Sequence, residues 1–144
     1  MPVLPGDQPL VAGVPPVSGS PIVLVVDDEP DVGETTATDL RRAGLRVRTA
    51  LNADNALSCC GTQSFDATIL AHHPNDQYCE SLLDEAPAMG LAVVVSAARS
   101  SLLADIRSRH RERVFAVMPT PVATSELVGV VQAAVTATRN QRNE

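Results

Sequence analysis

Three consecutive acids, Asp27, Asp28 and Glu29, follow directly on an unbroken apolar run, and Asp31 and Glu34 come shortly after. Carboxylates this close raise one another's pKa, and a divalent cation is the usual partner that offsets their repulsion. Oxygen ligands with several retained waters suit Mg²⁺, for which Asp27 and Asp28 are the candidate ligands. Three other apolar runs end on residues of interest. One ends at Ala71, followed by His72, His73 and, beyond Pro74, Asp76; a second ends at Ser96; a third leads into Pro119-Thr120-Pro121. His72 and His73 have the chemistry to ligate a metal beside Asp27 and Asp28, or to accept phosphate on a ring nitrogen, and Asp76 lies in the same loop. Neighbouring residues leaving a strand point to opposite faces, so the two imidazoles do not converge easily, and partly solvated loop histidines are the plainer reading.

The chain has 144 residues, 17 acidic and 11 basic, for a formal net charge of -6, and every basic residue is Arg. The absence of Lys excludes Schiff-base, cofactor-lysine and Walker-type phosphate chemistry, because a guanidinium stays protonated. The acidity argues against nucleic acid as a partner, since polyanion binding needs a concentrated positive field. No stretch reaches the ~20 apolar residues that span a bilayer, and the first residues lack the pattern of a secretory signal. Cys59, Cys60 and Cys79 show no zinc or disulfide spacing, which suits small buried thiols in a reducing cytoplasm. No Gly-rich phosphate loop follows the first apolar run, and no Ser/His/Asp or Cys/His arrangement has supporting spacing, so the chain is not expected to be an enzyme.

Residues 1–20 are rich in Pro and Gly and carry a single charge, Asp7, as expected of a flexible tail. From there strands and helices alternate. The expected strands are Ile22–Val26, Val47–Ala50, Phe65–Leu70, Leu91–Val95 and Val114–Met118. Unbroken apolar strands belong to sheets covered on both faces. Glu29-Pro30 starts a first helix carrying Val32, Thr36, Leu40 and Ala43, and Gly44 stops it. A second, shorter helix runs from Asn52 to Gly61, a third holds Leu82 and Leu83, and a fourth Leu102, Leu103 and Ile106. In the last, capped by Thr124 or Ser125, Leu127, Val130, Val131, Ala134 and Val135 form one stripe, and Arg139 and Arg142 suit its negative C-terminal end. The fold class is α/β: a doubly wound, five-stranded parallel sheet. The expected domain spans 21–139, with 140–144 as a C-terminal tail.

In open parallel sheets, sites form outside the C-terminal ends of the strands, which is where the acids, Ser96 and Thr120 fall. With these pieces in order, the sequence resembles the receiver domain of bacterial two-component response regulators, from Ile22 to Thr138. The resemblance rests on Val23-Leu24-Val25-Val26-Asp27-Asp28-Glu29-Pro30, Phe65-Asp66-Ala67-Thr68-Ile69-Leu70, Val94-Val95-Ser96-Ala97 and Thr120-Pro121. It implies the (βα)5 flavodoxin-like receiver fold and a role in phosphorelay signal transduction. It also implies that Asp27 and Asp28 are the Mg²⁺-binding acidic pair and Ser96 the switch hydroxyl. The phosphoacceptor aspartate of the family falls on Ala71, or on Leu70 when counted back from Pro74, and the family's lysine falls on Thr120. The aromatic switch position falls near Val117, with Phe115 expected on the same face.

An alanine methyl cannot attack a phosphoryl donor, and without the third carboxylate any hold on Mg²⁺ is weak. The sequence therefore reads as a stand-alone pseudo-receiver that needs no cofactor. It would act by protein–protein interaction with a histidine kinase or other signalling protein, or as a homodimer. The implied surface is the face made by the fourth helix, fifth strand and last helix. Arg107, Arg109, Arg111 and Arg113, with His110 and Glu112, border that face, as a solvated surface or as a docking patch. Two other readings of the pocket stand beside this one: a regulator binding a metal or small effector in it, and phosphorylation at a non-standard residue.

Overall fold

The unbroken run Ile22–Val26 is buried along its whole length and forms the first strand, β1. Residue by residue it alternates between two cores. Leu24 and Val26 join one hydrophobic cluster and Val23 and Val25 the other, so both faces of the strand are covered. The computed structural model describes residues 20–72, 78–85, 87–97 and 100–142. Of the expected tail at 1–20, only Ser20 is described, and it is buried with its carbonyl accepting from Arg46; the rest of it, together with His73 and Asp76, lies outside the described residues.

The remaining elements are α1 (Pro30–Arg42), β2 (Arg46–Ala50), α2 (Ala53–Thr62), β3 (Ala67–His72), α3 (Tyr78–Glu85), a 3-10 turn (Pro87–Met89), β4 (Leu91–Ser96), α4 (Ser100–Arg109), β5 (Val114–Pro119) and α5 (Thr124–Arg142). All strands are parallel, in the order β2-β1-β3-β4-β5. Leu40 of α1 and Val131, Ala134 and Val135 of α5 pack on one face of the sheet. Ala56 and Cys59 of α2, Leu82 and Leu83 of α3 and Ile106 of α4 pack on the other. This is the doubly wound arrangement expected from the alternation of elements.

Several local expectations are corrected. β3 starts at Ala67, two residues later than Phe65. Phe65 and Asp66 are buried by contacts of their own: the Phe65 N–H donates to Ala88 O and the Asp66 carboxylate is engaged by α5. The inward face of α1 is Gly33, Ala37 and Leu40, whereas Val32 is 48% exposed. Gly33 allows this rotation, because a Cβ there would lie 3.3 Å from the Asp27 Cβ. Thr124 is the first residue of α5 and not its cap, and its hydroxyl reaches Asp39 on α1 at 3.4 Å. The domain also extends past residue 139: α5 continues to Arg142, which bonds to Asp66 and to Phe65 O.

Phe115 and Val117 do not share a surface. A register shift between Ala92 and Val93 pairs Ala92 with Val114 and Val93 with Ala116, leaving Phe115 as the additional residue of a β-bulge. Phe115 consequently packs with the α1/α5 core and Val117 with the α2/α3/α4 core.

The N-terminal edge of the sheet is fixed by two unlike devices. Asp66 and Ile22 exchange bonds, Asp66 N–H to Ile22 O at 2.8 Å and Ile22 N–H to Asp66 Oδ2 at 3.0 Å. Gly90, ahead of β4, has φ +74, and a Cβ there would sit 2.7 Å from Phe65 O. Only glycine combines that dihedral with that approach. Replacing Gly90 by alanine therefore costs about 2 kcal/mol or more in urea unfolding, whereas Gly61→Ala, in open space on a helix, does not destabilise.

Candidate functional site

Four of the five strands, β1, β3, β4 and β5, each lead to one residue of interest at the C-terminal edge of the sheet. The β1/β3 register pairs Val26 with Leu70, so the next step sets Asp27 beside Ala71. β3 and β4 pair Ala71 with Val95 and His72 with Ser96. β4 and β5 pair Ser96 with Pro119, and the Thr120 N–H donates to Ser96 O at 3.0 Å. Asp27 and Ala71 are thus level on neighbouring strands, about 4.8 Å apart. Ser96 is level with His72, one residue further along, and Thr120 follows Pro119 one residue further again, so the four share the C-terminal edge in a staggered arrangement. The register also separates the two alternatives on β3. Leu70 is committed to the core, and Ala71 is the partly exposed residue at the edge.

Asp27 is buried, while Asp28 and Glu29 are exposed. The Asp27 N–H donates to Ala50 O, and its Oδ1 accepts the Glu29 N–H at 2.9 Å, closing the turn that leads into α1. Gly33 brings the first turn of α1 against the Asp27 side chain, a contact that sequence reasoning missed. Its signal was a glycine one turn into a helix that begins immediately after the acids. Ser96 is buried, Thr120 is exposed, and the Thr120–Pro121 peptide is cis.

The fold family implies a bound Mg²⁺ at this edge. The two adjacent acids are of unlike burial, and the inner one already accepts a backbone hydrogen bond through Oδ1. Among the described residues, no three His, Cys, Asp or Glu side chains group closely enough to hold a metal. A hard cation with near-octahedral demands needs more charged oxygen than this pair brings, so the described residues by themselves do not fit a resident Mg²⁺.

A second acidic feature lies at the opposite edge, and its partners were not legible in the sequence. The Asp66 carboxylate, only 11% exposed, meets Arg139 Nε at 3.2 Å and Arg142 NH1 at 3.2 Å, both from the end of α5. These arginines do more than complement a helix end. They tie the last helix to the start of β3.

On the α2 side of the sheet, burial pushes the Cys60 thiol pKa up, the neighbouring Cys59 adds to this, and Arg113 opposes it. That is the reverse of an activated nucleophile. Burial also lowers Arg113, against the pull of Asp84 and Cys60. Its guanidinium donates to Leu83 O at 3.0 Å, joining the turn after α4 to α3.

No family model and no curated protein matches this sequence. Solved structures do match. A CheY-like response regulator receiver domain protein from Methanospirillum hungatei is 19% identical with a TM-score of 0.72, covering 85% of this chain and 99% of that one. A response regulator from Burkholderia pseudomallei, solved with a phosphorylated aspartic acid, calcium ion and citrate, is 22% identical with a TM-score of 0.67, over 85% of this chain and 73% of that one. A structure described as adenylate cyclase from Rhodopirellula baltica is 15% identical with a TM-score of 0.74, over 86% and 93%. The chain therefore has the flavodoxin-like fold of CheY-like receiver domains. Among the described residues, no helix is long and apolar enough to cross a membrane.

Proposed function

We propose that this chain is a receiver-fold signalling module of the two-component type that works without aspartyl phosphorylation, by binding another protein. The observation that carries the reading is the set of residues at the C-terminal edge of the sheet, Asp27, Ala71, Ser96 and Thr120. The inner acid and the hydroxyl stand at the sheet edge, while a methyl group and a second hydroxyl occupy the places between and beyond them. Nothing at Ala71 attacks a phosphoryl group, and no cation at Thr120 neutralises one. The fold then serves as a rigid surface and not as an enzyme.

The binding surface is the α4-β5-α5 face. β5 is an edge strand of the sheet, and edge strands flanked by helices are natural places for a partner to add contacts. The partner is a histidine kinase, another signalling protein or a second copy of the chain, met in the cytoplasm. Structural neighbours described as response regulators and, in Polaromonas, as a sensor protein support placing the chain in this kind of signalling.

In sedimentation velocity, the distribution of species is the same with and without acetyl phosphate and Mg²⁺. A phosphodonor-dependent change in assembly would overturn the reading.

A further inference from the structure

The end of α4, the turn after it, the start of β5 and the last turns of α5 enclose an open cleft of about 640 Å³. It lies at the N-terminal edge of the sheet, away from Asp27 and Ser96, and within the α4-β5-α5 face proposed above as the binding surface, though the ligand inferred below does not depend on that reading. Leu91 and Val114 line it and are themselves buried core residues, and Phe115, turned toward the α5 side by the β-bulge, adds a flat apolar surface. Arg107, Arg111 and Glu112 also line it.

The arginines of this cleft differ from most others in the chain. Arg41 pairs with Glu34, Arg46 bonds Ser20 O, Arg48 bonds Gln63, Arg109 approaches Asp105, Arg113 holds Leu83 O, and Arg139 and Arg142 hold Asp66. Among the described residues, Arg107 and Arg111 make no hydrogen bond or ion pair, a condition shared only by Arg42. Arg107, in the last turn of α4, and Arg111, in the turn that follows it, are four residues apart in the chain and both line the cleft. Two planar guanidinium forks at that spacing can close on one carboxylate, sulfonate or phosphate ester. Glu112 on the rim leaves the cleft a single net positive charge, which selects a monoanion over a polyphosphate. A role for Arg107 at the negative end of α4 would need neither the cavity nor its apolar floor.

We propose that this cleft binds a small amphipathic monoanion, its charged head held by Arg107 and Arg111 and its apolar body lying on Leu91, Val114 and Phe115.

Naphthoate, an apolar bicycle with one carboxylate, is the probe, titrated into the full chain and followed by backbone amide NMR. Shifts are expected at residues 107–115 and 137–141. The double variant Arg107→Gln/Arg111→Gln, altered only at surface side chains, binds about 10-fold or more weakly, and Arg42→Gln binds as the parent does. Naphthalene methanol, which lacks the charge, is also about 10-fold or more weaker. Absence of shifts at millimolar naphthoate, shifts centred elsewhere, or equal binding by the double variant or by the uncharged analogue would overturn the assignment.

Discussion

Replacing Asp66 by alanine lowers stability by about 2–4 kcal/mol, the largest loss expected from any single polar substitution in the described structure. Its carboxylate is nearly buried and accepts the Ile22 N–H as well as bonds from Arg139 and Arg142. Removing it leaves a β1 donor without its acceptor and two guanidiniums facing a small cavity. Those guanidiniums are 42% and 40% exposed, so water takes over part of their solvation, and the loss stays below that of a fully buried pair. The two halves of the effect can be separated. Asp66→Asn keeps an acceptor for Ile22 but loses the charge, and retains roughly half the stability at stake. Arg139→Gln and Arg142→Gln each cost about 1 kcal/mol or less. Urea midpoints at constant m-value read these differences. A loss below about 0.5 kcal/mol for Asp66→Ala would make the cluster an ordinary surface pair.

The second large effect is a gain. In the double variant Ala71→Asp/Thr120→Lys, a carboxylate stands beside Asp27, level with it in the sheet, and an ammonium is carried by the residue whose N–H donates to Ser96 O. Two carboxylates at the strand spacing repel by about 3 kcal/mol at an effective dielectric near 20, so the variant is less stable than the parent in metal-free buffer. A divalent cation relieves that repulsion. Mg²⁺ at ten times its Kd then adds about 1.4 kcal/mol of stability to the variant, and none to the parent. With acetyl phosphate and Mg²⁺ the variant gains about 80 Da, as an acyl phosphate that survives acid and is lost in base. A variant that folds and takes up Mg²⁺ but gains no mass would mean that more than these two positions separates the chain from phosphorylation.

The residues of the sheet edge were legible because each follows an apolar run, and parallel sheets expose the ends of such runs together. Ile22–Val26 was read to the residue, and Asp27, Ser96 and Thr120 lie where the pattern put them. What was not legible depended on contacts distant in sequence. Asp66 meets its arginines across 73 and 76 residues, and nothing in Phe65-Asp66 distinguishes a strand residue from a buried residue just ahead of one. The side of β5 taken by Phe115 depends on a bulge against Ala92 and Val93, which a period-two count cannot detect. The inward face of α1 followed Gly33 and not the larger Val32, because close approach to Asp27 decided the rotation of the helix and apolar bulk did not.

The most direct measurement is the intact mass of the parent protein after incubation with acetyl phosphate and Mg²⁺. The proposed function predicts an unchanged mass. A stoichiometric gain of about 80 Da, stable in acid and labile in base, would contradict it by showing that a carboxylate of this chain accepts phosphate.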